Sequence, residues 1–146
     1  MIVYIDASAL VKRYVAERSS GEVIELTADA DIVATSVVSR AEVAAALARS
    51  ARLGALEDDD ARRAQRRFSR EWPDLARVPV TELLVSRAEL LAWDYGLRGY
   101  DAIQLASAVT WQESIGEDVV LATFDRQLWK AASNAGLQVW PEGLGK

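Results

Sequence analysis

Ile2-Val3-Tyr4-Ile5-Asp6 opens the chain with four consecutive apolar residues closed by an acid. A short unbroken apolar run, rich in β-branched residues, is the pattern of a strand covered on both faces, as in a parallel sheet. Ile32-Val33-Ala34, closed by Thr35-Ser36, and Val119-Val120-Leu121-Ala122 repeat it, with Arg77–Val80 and Leu137–Trp140 as weaker strand candidates. Between the runs, apolar residues recur at helical spacing. Leu10, Val11, Tyr14 and Val15 predict a helix after Asp6, and Ser19-Ser20-Gly21-Glu22 starts a second. An Ala-rich helix runs to about Leu53, where Gly54 stops it, and another starts near the acids 57–60 and ends at Trp72-Pro73. Helices are further expected from about Thr81 to Tyr95, with Leu83, Leu84, Leu90 and Leu91 on the buried side, from about Tyr100 to Glu113, and from Asp125 to near Gly136. Strands alternating with helices mean an α/β fold, a three-layer α/β/α sandwich around a mostly parallel sheet. With no repeat or linker in view, one domain over residues 1–140 and a short, loose tail at 141–146 are expected.

The 146 residues contain no cysteine and no histidine. That excludes disulfides, thiolate nucleophiles, His-based triads and the usual zinc sites. Catalysis is left to carboxylates, hydroxyls, Lys or Arg, with a hard, oxygen-seeking metal as the natural helper. Seventeen basic against twenty-two acidic residues give a net charge of −5, which argues against indiscriminate binding to nucleic acid or anionic membrane. No apolar stretch is long enough to span a bilayer, and the opening lacks the basic start of a signal peptide. A cytoplasmic protein with no membrane partner is the expectation.

Four acids stand out by position. Asp6 follows the first strand, Asp125 follows the 119–122 strand by way of Thr123-Phe124, Asp101 opens the helix after Gly99, and Glu42 lies early in the helix after the second strand. Ligands of parallel α/β sheets bind beyond the carboxyl ends of the strands. Three of the acids also have ordinary structural uses: Asp125 as an N-cap, Asp101 as a first-turn acid, and Glu42 with Ser39 as a capping box. Asp6 has no evident structural need. Four carboxylates converging on one point would repel one another unless a cation neutralised them, and Mg2+ or Mn2+ is suited to that task.

The residues around these acids resemble the PIN-domain ribonucleases, especially VapC-type toxins of toxin–antitoxin pairs. Tyr4-Ile-Asp6-Ala-Ser8-Ala-Leu-Val-Lys-Arg-Tyr-Val is similar to the family's opening, and Ser39-Arg-Ala-Glu42-Val to its second acidic position. Leu97-Arg98-Gly-Tyr-Asp101-Ala-Ile-Gln-Leu-Ala resembles its third-acid helix, and Leu121-Ala-Thr123-Phe-Asp125 its last acidic position. The order holds over almost the whole chain. The resemblance implies a PIN-like sandwich and endonucleolytic cleavage of RNA dependent on Mg2+ or Mn2+. It implies a metal-activated water attacking the phosphate in line, leaving 5′-phosphate and 3′-hydroxyl ends. Asp6, Glu42, Asp101 and Asp125 would form the acidic site, with Asp6 and Asp101 the surest ligands and Ser8 and Thr123 in support. It further implies a homodimer, and an antitoxin whose C-terminal arm crosses the apolar helices and offers a basic side chain to the acids. Many members of the family carry His three residues after the third acid, where this chain has Gln104, a difference expected to touch a substrate contact.

Arg62, Arg66 and Arg70 form one row of a basic helix stripe, with Arg63 and Arg67 in the next. The row reads either as a solvated face neutralised by the acids at 57–60 or as a guide for an RNA backbone. Arg98 reads either as an ion-pair partner or as a phosphate contact. The tryptophans at 72, 93, 111, 129 and 140 are scattered as core or interface anchors rather than as a stacking array. Two other functions remain open at this level. One is a non-catalytic PIN-like scaffold binding RNA or protein. The other is a receiver-like phosphoryl-transfer domain, disfavoured because Thr123-Phe124-Asp125 lacks the lysine a receiver needs there.

Overall fold

In the computed structural model, which describes residues 1–145, the opening run is β1 (Ile2–Ile5), the middle strand of a five-stranded parallel sheet. β2 (Ile32–Ser36) and β3 (Ala76–Val78) lie on one side, β4 (Val119–Ala122) and β5 (Gln138–Trp140) on the other. Val3 pairs with Val33 and Val120, and Tyr4 with Ala34 and Leu121. Successive side chains point to opposite faces, and both faces are covered, so Val3, Tyr4 and Ile5 are all fully buried. That is why the strand reads as an unbroken apolar run.

On one face, α1 (Ala7–Leu10), α2 (Ser20–Asp29), α3 (Ser39–Arg52) and α4 (Asp58–Glu71) pack Val23, Val43, Leu47 and Phe68 over Val3 and Ile5. On the other, α5 (Glu82–Tyr95), α6 (Gly99–Ile115) and α7 (Arg126–Asn134) pack Leu84, Leu105 and Leu128 over Tyr4 and Leu121. The expected three-layer sandwich is therefore formed. Among the described residues, no helix is long and apolar enough to cross a membrane.

Several expectations need correction. The helix after Asp6 is a single α turn continued by a 3-10 turn at Val11–Arg13, because the chain bends at Tyr14 to set its ring edge-on against Phe68 at 5.3 Å. β2 extends two residues further than expected. Thr35 and Ser36 are fully buried yet continue the ladder to Arg77 and Val78, and the Thr35 hydroxyl donates to the Ile5 carbonyl at 2.6 Å. On α5 the buried side is Leu84 and Ala88, with Leu91 partly covered, whereas Leu83 and Leu90 are 82% and 65% exposed. Leucine marks apolarity, not direction, and α5 carries apolar residues on two faces of which only one meets the sheet. Trp93 shares the exposed side, while Trp72 is buried. Gly96, at φ +64°, ends α5 in the left-handed conformation and turns the chain towards α6.

Within the expected tail, Pro141 and Gly145 lie against Trp129 of α7. Trp129 Nε1 donates to the Pro141 carbonyl at 2.9 Å, and a Cβ at Gly145 would stand 2.6 Å from the Trp129 ring, so only glycine permits that approach. Lys146, the last residue of the expected tail, lies outside the described residues.

Candidate active site

The chain lays β2 and β3 on one side of β1, then crosses to lay β4 and β5 on the other. Asp6 leaves the carboxyl end of β1 and Thr123 that of β4, so the two flank this switch point, where open α/β sheets hold ligands. All four expected acids lie at this end, each at the start of a helix. Asp6 caps α1, accepting from Ala9 N at 3.1 Å, and Asp125 caps α7, accepting from Leu128 N at 2.9 Å. Glu42 and Asp101 sit in the first turns of α3 and α6. Helix N-termini favour negative charge, which helps the fold tolerate four acids here.

Asp6 does have the structural use that its sequence setting did not suggest, yet the cap is only part of its bonding. Ser8 Oγ donates to its Oδ1 and Thr123 Oγ1 to its Oδ2, both at 2.7 Å. The same hydroxyls accept from the next loop: Phe124 N to Ser8 Oγ and Asp125 N to Thr123 Oγ1, each 3.0 Å. Ser8 and Thr123 thus tie the ends of β1 and β4 together around one carboxylate. Burial pushes the Asp6 carboxyl up to about 6, with the Glu42 charge adding to the rise and the hydrogen bonds from Ser8, Thr123 and Ala9 opposing it.

The capping box expected of Ser39 and Glu42 is not formed. Val38 is the N-cap of α3, and no side chain caps that helix. Both side chains instead meet Gln104 of α6, whose Nε2 donates to Ser39 Oγ and to Glu42 Oε1 at 3.0 Å each. Gln104 is 1% exposed, and its contacts are internal. The sequence marks Gln104 only as a departure from the family's histidine and Ser39 only as a cap, and does not link them to each other or to Tyr4 and Thr35. The only signal of a link was the place of Gln104 one helical turn after Asp101.

Arg98 stands between the last two acids. Its Nη2 lies 3.4 Å from Asp101 Oδ2 and 3.3 Å from Asp125 Oδ2, with the guanidinium also 5.0 Å from the Tyr100 ring. The ion-pair reading of Arg98 is therefore realised. Burial raises the carboxyl of Asp101, with Asp125 adding to the rise and Arg98 opposing it. Glu42 is raised by burial and by Asp101, against the hydrogen bond from Gln104.

The acids thus form a chain of coupled pairs, Asp6 with Glu42, Glu42 with Asp101, and Asp101 with Asp125. Among the described residues, no three acids are gathered closely enough to hold a metal ion as they stand. Each acid is held by its own neutral or cationic partner: Asp6 by Ser8 and Thr123, Glu42 by Gln104, and Asp101 and Asp125 by Arg98. The donor set is nonetheless the all-oxygen kind that hard divalent cations take, and the raised carboxyls are those a cation would relieve.

The arginine stripe lies on α4. Arg62 pairs with Asp58 at 2.9 Å and Arg63 with Asp60 at 3.1 Å, as the neutralised-face reading expects. Arg66 and Arg70 have no ion-pair partner among the described residues. Arg40, at the start of α3, lies 5.8 Å from the ring of Trp72, just past the end of α4. Ala51 and Arg52 line a cleft with Asp58 and Arg62 at the opposite ends of the two helices. The helices are therefore antiparallel, and the last turn of α4 leads to the amino ends of β2 and β3, where Glu71 lines a cleft with Asp31, Ile32 and Ala76. The cleft, about 370 Å³, is floored by Ala44, Leu47, Ala48 and Ala61.

Comparison with known proteins bears on this geometry. The PIN-domain family profile matches residues 3–134. Two proteins of Mycobacterium tuberculosis, ribonuclease VapC45 and ribonuclease VapC49, are each 35% identical over 144 residues, covering 98% of this chain and 97% of theirs. Among solved structures, VapBC2 from Rickettsia felis, bound to a DNA fragment from its promoter, superposes with a TM-score of 0.66 at 15% identity. That match covers 97% of this chain and 100% of the other, and it is a likeness of fold.

Proposed function

The chain belongs to the PIN-domain family as a VapC-type ribonuclease toxin, and from that footing we propose that its acidic end cleaves RNA with the help of a divalent cation, Mg2+ or Mn2+. The observation that carries the reading is the row of four carboxylates at the switch point, three of them raised by burial and by one another. Asp6 and Asp101 are the principal ligands, and Glu42 and Asp125 complete the site directly or through water. The chemistry such a cation supplies is a water of lowered pKa and neutralisation of charge on the phosphate and the leaving oxygen. Ser8 and Thr123 orient Asp6 by holding both of its oxygens. Arg98, exposed beside Asp101 and Asp125, supplies a charge for a substrate phosphate, and Arg66 and Arg70, exposed on α4, offer further contacts to the RNA backbone. The products are a 5′-phosphate and a 3′-hydroxyl.

The partners follow from the same reading. A cognate antitoxin would lay its arm in the alanine-floored cleft between α3 and α4 and offer a basic side chain to the acids. The exposed Leu83, Leu90 and Trp93 of α5 support a second copy of the chain as the other partner, since exposed apolar patches mark interaction sites. The reading takes residues 1–140 as one catalytic domain.

The test is cleavage of total cellular RNA by purified protein, with end-group analysis of the products. Wild type should cut in Mn2+, and Asp101→Asn should not, even at saturating Mn2+. Retained activity in that variant would contradict the assignment.

A further inference from the structure

Buried between β1, α3 and α6 is a polar chain that the proposed chemistry does not use. Tyr4 of β1 is fully buried, and its hydroxyl donates to Gln104 Oε1 at 2.5 Å. Burial pushes that phenol above its ordinary range, so it stays protonated and can serve as a donor at any working pH. This bond decides which way the amide of Gln104 points: the oxygen faces Tyr4 and the nitrogen faces Ser39 and Glu42. Both amide hydrogens are then spent, one on Ser39 Oγ and one on Glu42 Oε1, each at 3.0 Å. Ser39 is itself anchored, its hydroxyl 2.7 Å from that of Thr35, which donates to the Ile5 carbonyl. Tyr4, Thr35, Ser39 and Gln104, from four elements, thus form a chain whose last link, Gln104 Nε2, reaches one oxygen of Glu42.

The residue types matter. The side chain at position 104 must accept from Tyr4 while donating twice, which a carboxylate, a hydroxyl or a neutral imidazole cannot do. A neutral donor leaves the charge of Glu42 intact, unlike a lysine or arginine, and holds one oxygen while the other remains for a cation or its water. A buried amide with every hydrogen-bonding group satisfied is a rigid support rather than a solvent-facing contact.

We propose that Gln104 is a positioning residue: clamped by Tyr4 and Ser39, its amide fixes the carboxylate of Glu42 for the divalent cation. The inference rests on the reading of Glu42 as part of the metal-binding end. Residues that hydrogen-bond to a ligating carboxylate typically change metal affinity by about 10–100-fold when removed.

The test is a double-mutant cycle read by Mn2+ titration calorimetry, beside melting curves in the absence of metal. Gln104→Leu should weaken Mn2+ binding about tenfold in the wild-type background. Tyr4→Phe, which touches Glu42 only through Gln104, should weaken it about threefold, taking half of that effect on a logarithmic scale. In a Glu42→Ala background, neither change should matter by more than about twofold, because the carboxylate they position is gone. Equal losses in both backgrounds would overturn the proposal and assign Gln104 a general structural role. Unchanged Mn2+ affinity in both variants would overturn it as well. If Gln104→Leu proves unfolded by its melting curve, Tyr4→Phe decides alone by the same criteria. Absence of Mn2+ binding to wild type would instead overturn the acidic-site reading, and this inference with it.

Discussion

The acidic end of the sheet and the arginine stripe of α4 carry similar numbers of charges and treat them in opposite ways. At the acidic end, Asp6 and Asp101 are each 4% exposed, and Asp6, Glu42 and Asp101 are all raised by burial and by a neighbouring acid. On α4 every arginine of the stripe is exposed, and Arg62 and Arg63 are paired with acids one turn away. Charges left in water interact weakly and cost the fold little. Charges taken out of water and set against one another store free energy that a bound cation can release. The contrast is one of burial and pairing rather than of the number of charged residues.

The largest effects should come from breaking the acidic side. Asp101→Asn should reduce RNA cleavage by on the order of a thousandfold, measured as initial rates at saturating Mn2+. Stability should move the other way. The folded-state pKa of Asp6, about 6, lies above its ordinary value of 3.8, so the folded protein holds that proton more tightly than the unfolded chain does. Stability is then complete below about pH 4 and is lost as pH rises through about 6, with Glu42 and Asp101 shifting in the same direction. Two units correspond to about 3 kcal/mol. Metal-free protein should therefore melt several degrees lower at pH 7.5 than at pH 4.5, and Asp6→Asn should remove most of that dependence. A melting temperature that rises with pH over this range would show that the buried acids are not strained.

Smaller effects are expected from the basic side. Replacing Arg66 and Arg70 together by Gln should raise KM for RNA several-fold. It should also flatten the salt dependence by about 0.7 in log–log slope for each phosphate that the stripe no longer neutralises. An unchanged slope would make the whole stripe a solvated face. Arg62→Ala should leave both the melting temperature and KM where they are, because its partner Asp58 is as exposed as it is.

Most of the architecture was legible in the sequence. β1 and β4 read correctly because strands covered on both faces show as continuous apolar runs, and the helix ends at Gly54 and Gly96 read correctly because glycine alone takes the left-handed turn cheaply. The side of α5 that meets the sheet was not legible, since Leu83 and Leu90 match Leu84 and Leu91 in type and only packing tells them apart. The positions of the four acids followed from strand ends and helix starts. Their partners did not. Thr35, Ser39 and Gln104 look like ordinary polar residues, and a hydrogen-bond chain joining positions a hundred residues apart has no local signature. The Ser39–Glu42 pair even matches a capping box, a pattern that tertiary contacts overrode.

The most direct test of the central claim is the melting temperature of purified, antitoxin-free protein with and without Mn2+, measured for wild type, Asp6→Asn and Asp101→Asn. A cation at a hundred times its dissociation constant stabilises by about 2.7 kcal/mol. The acidic row predicts a shift of that order in wild type and its loss in both variants. No shift in wild type, or an undiminished shift in both variants, would contradict the claim that these carboxylates form the metal site.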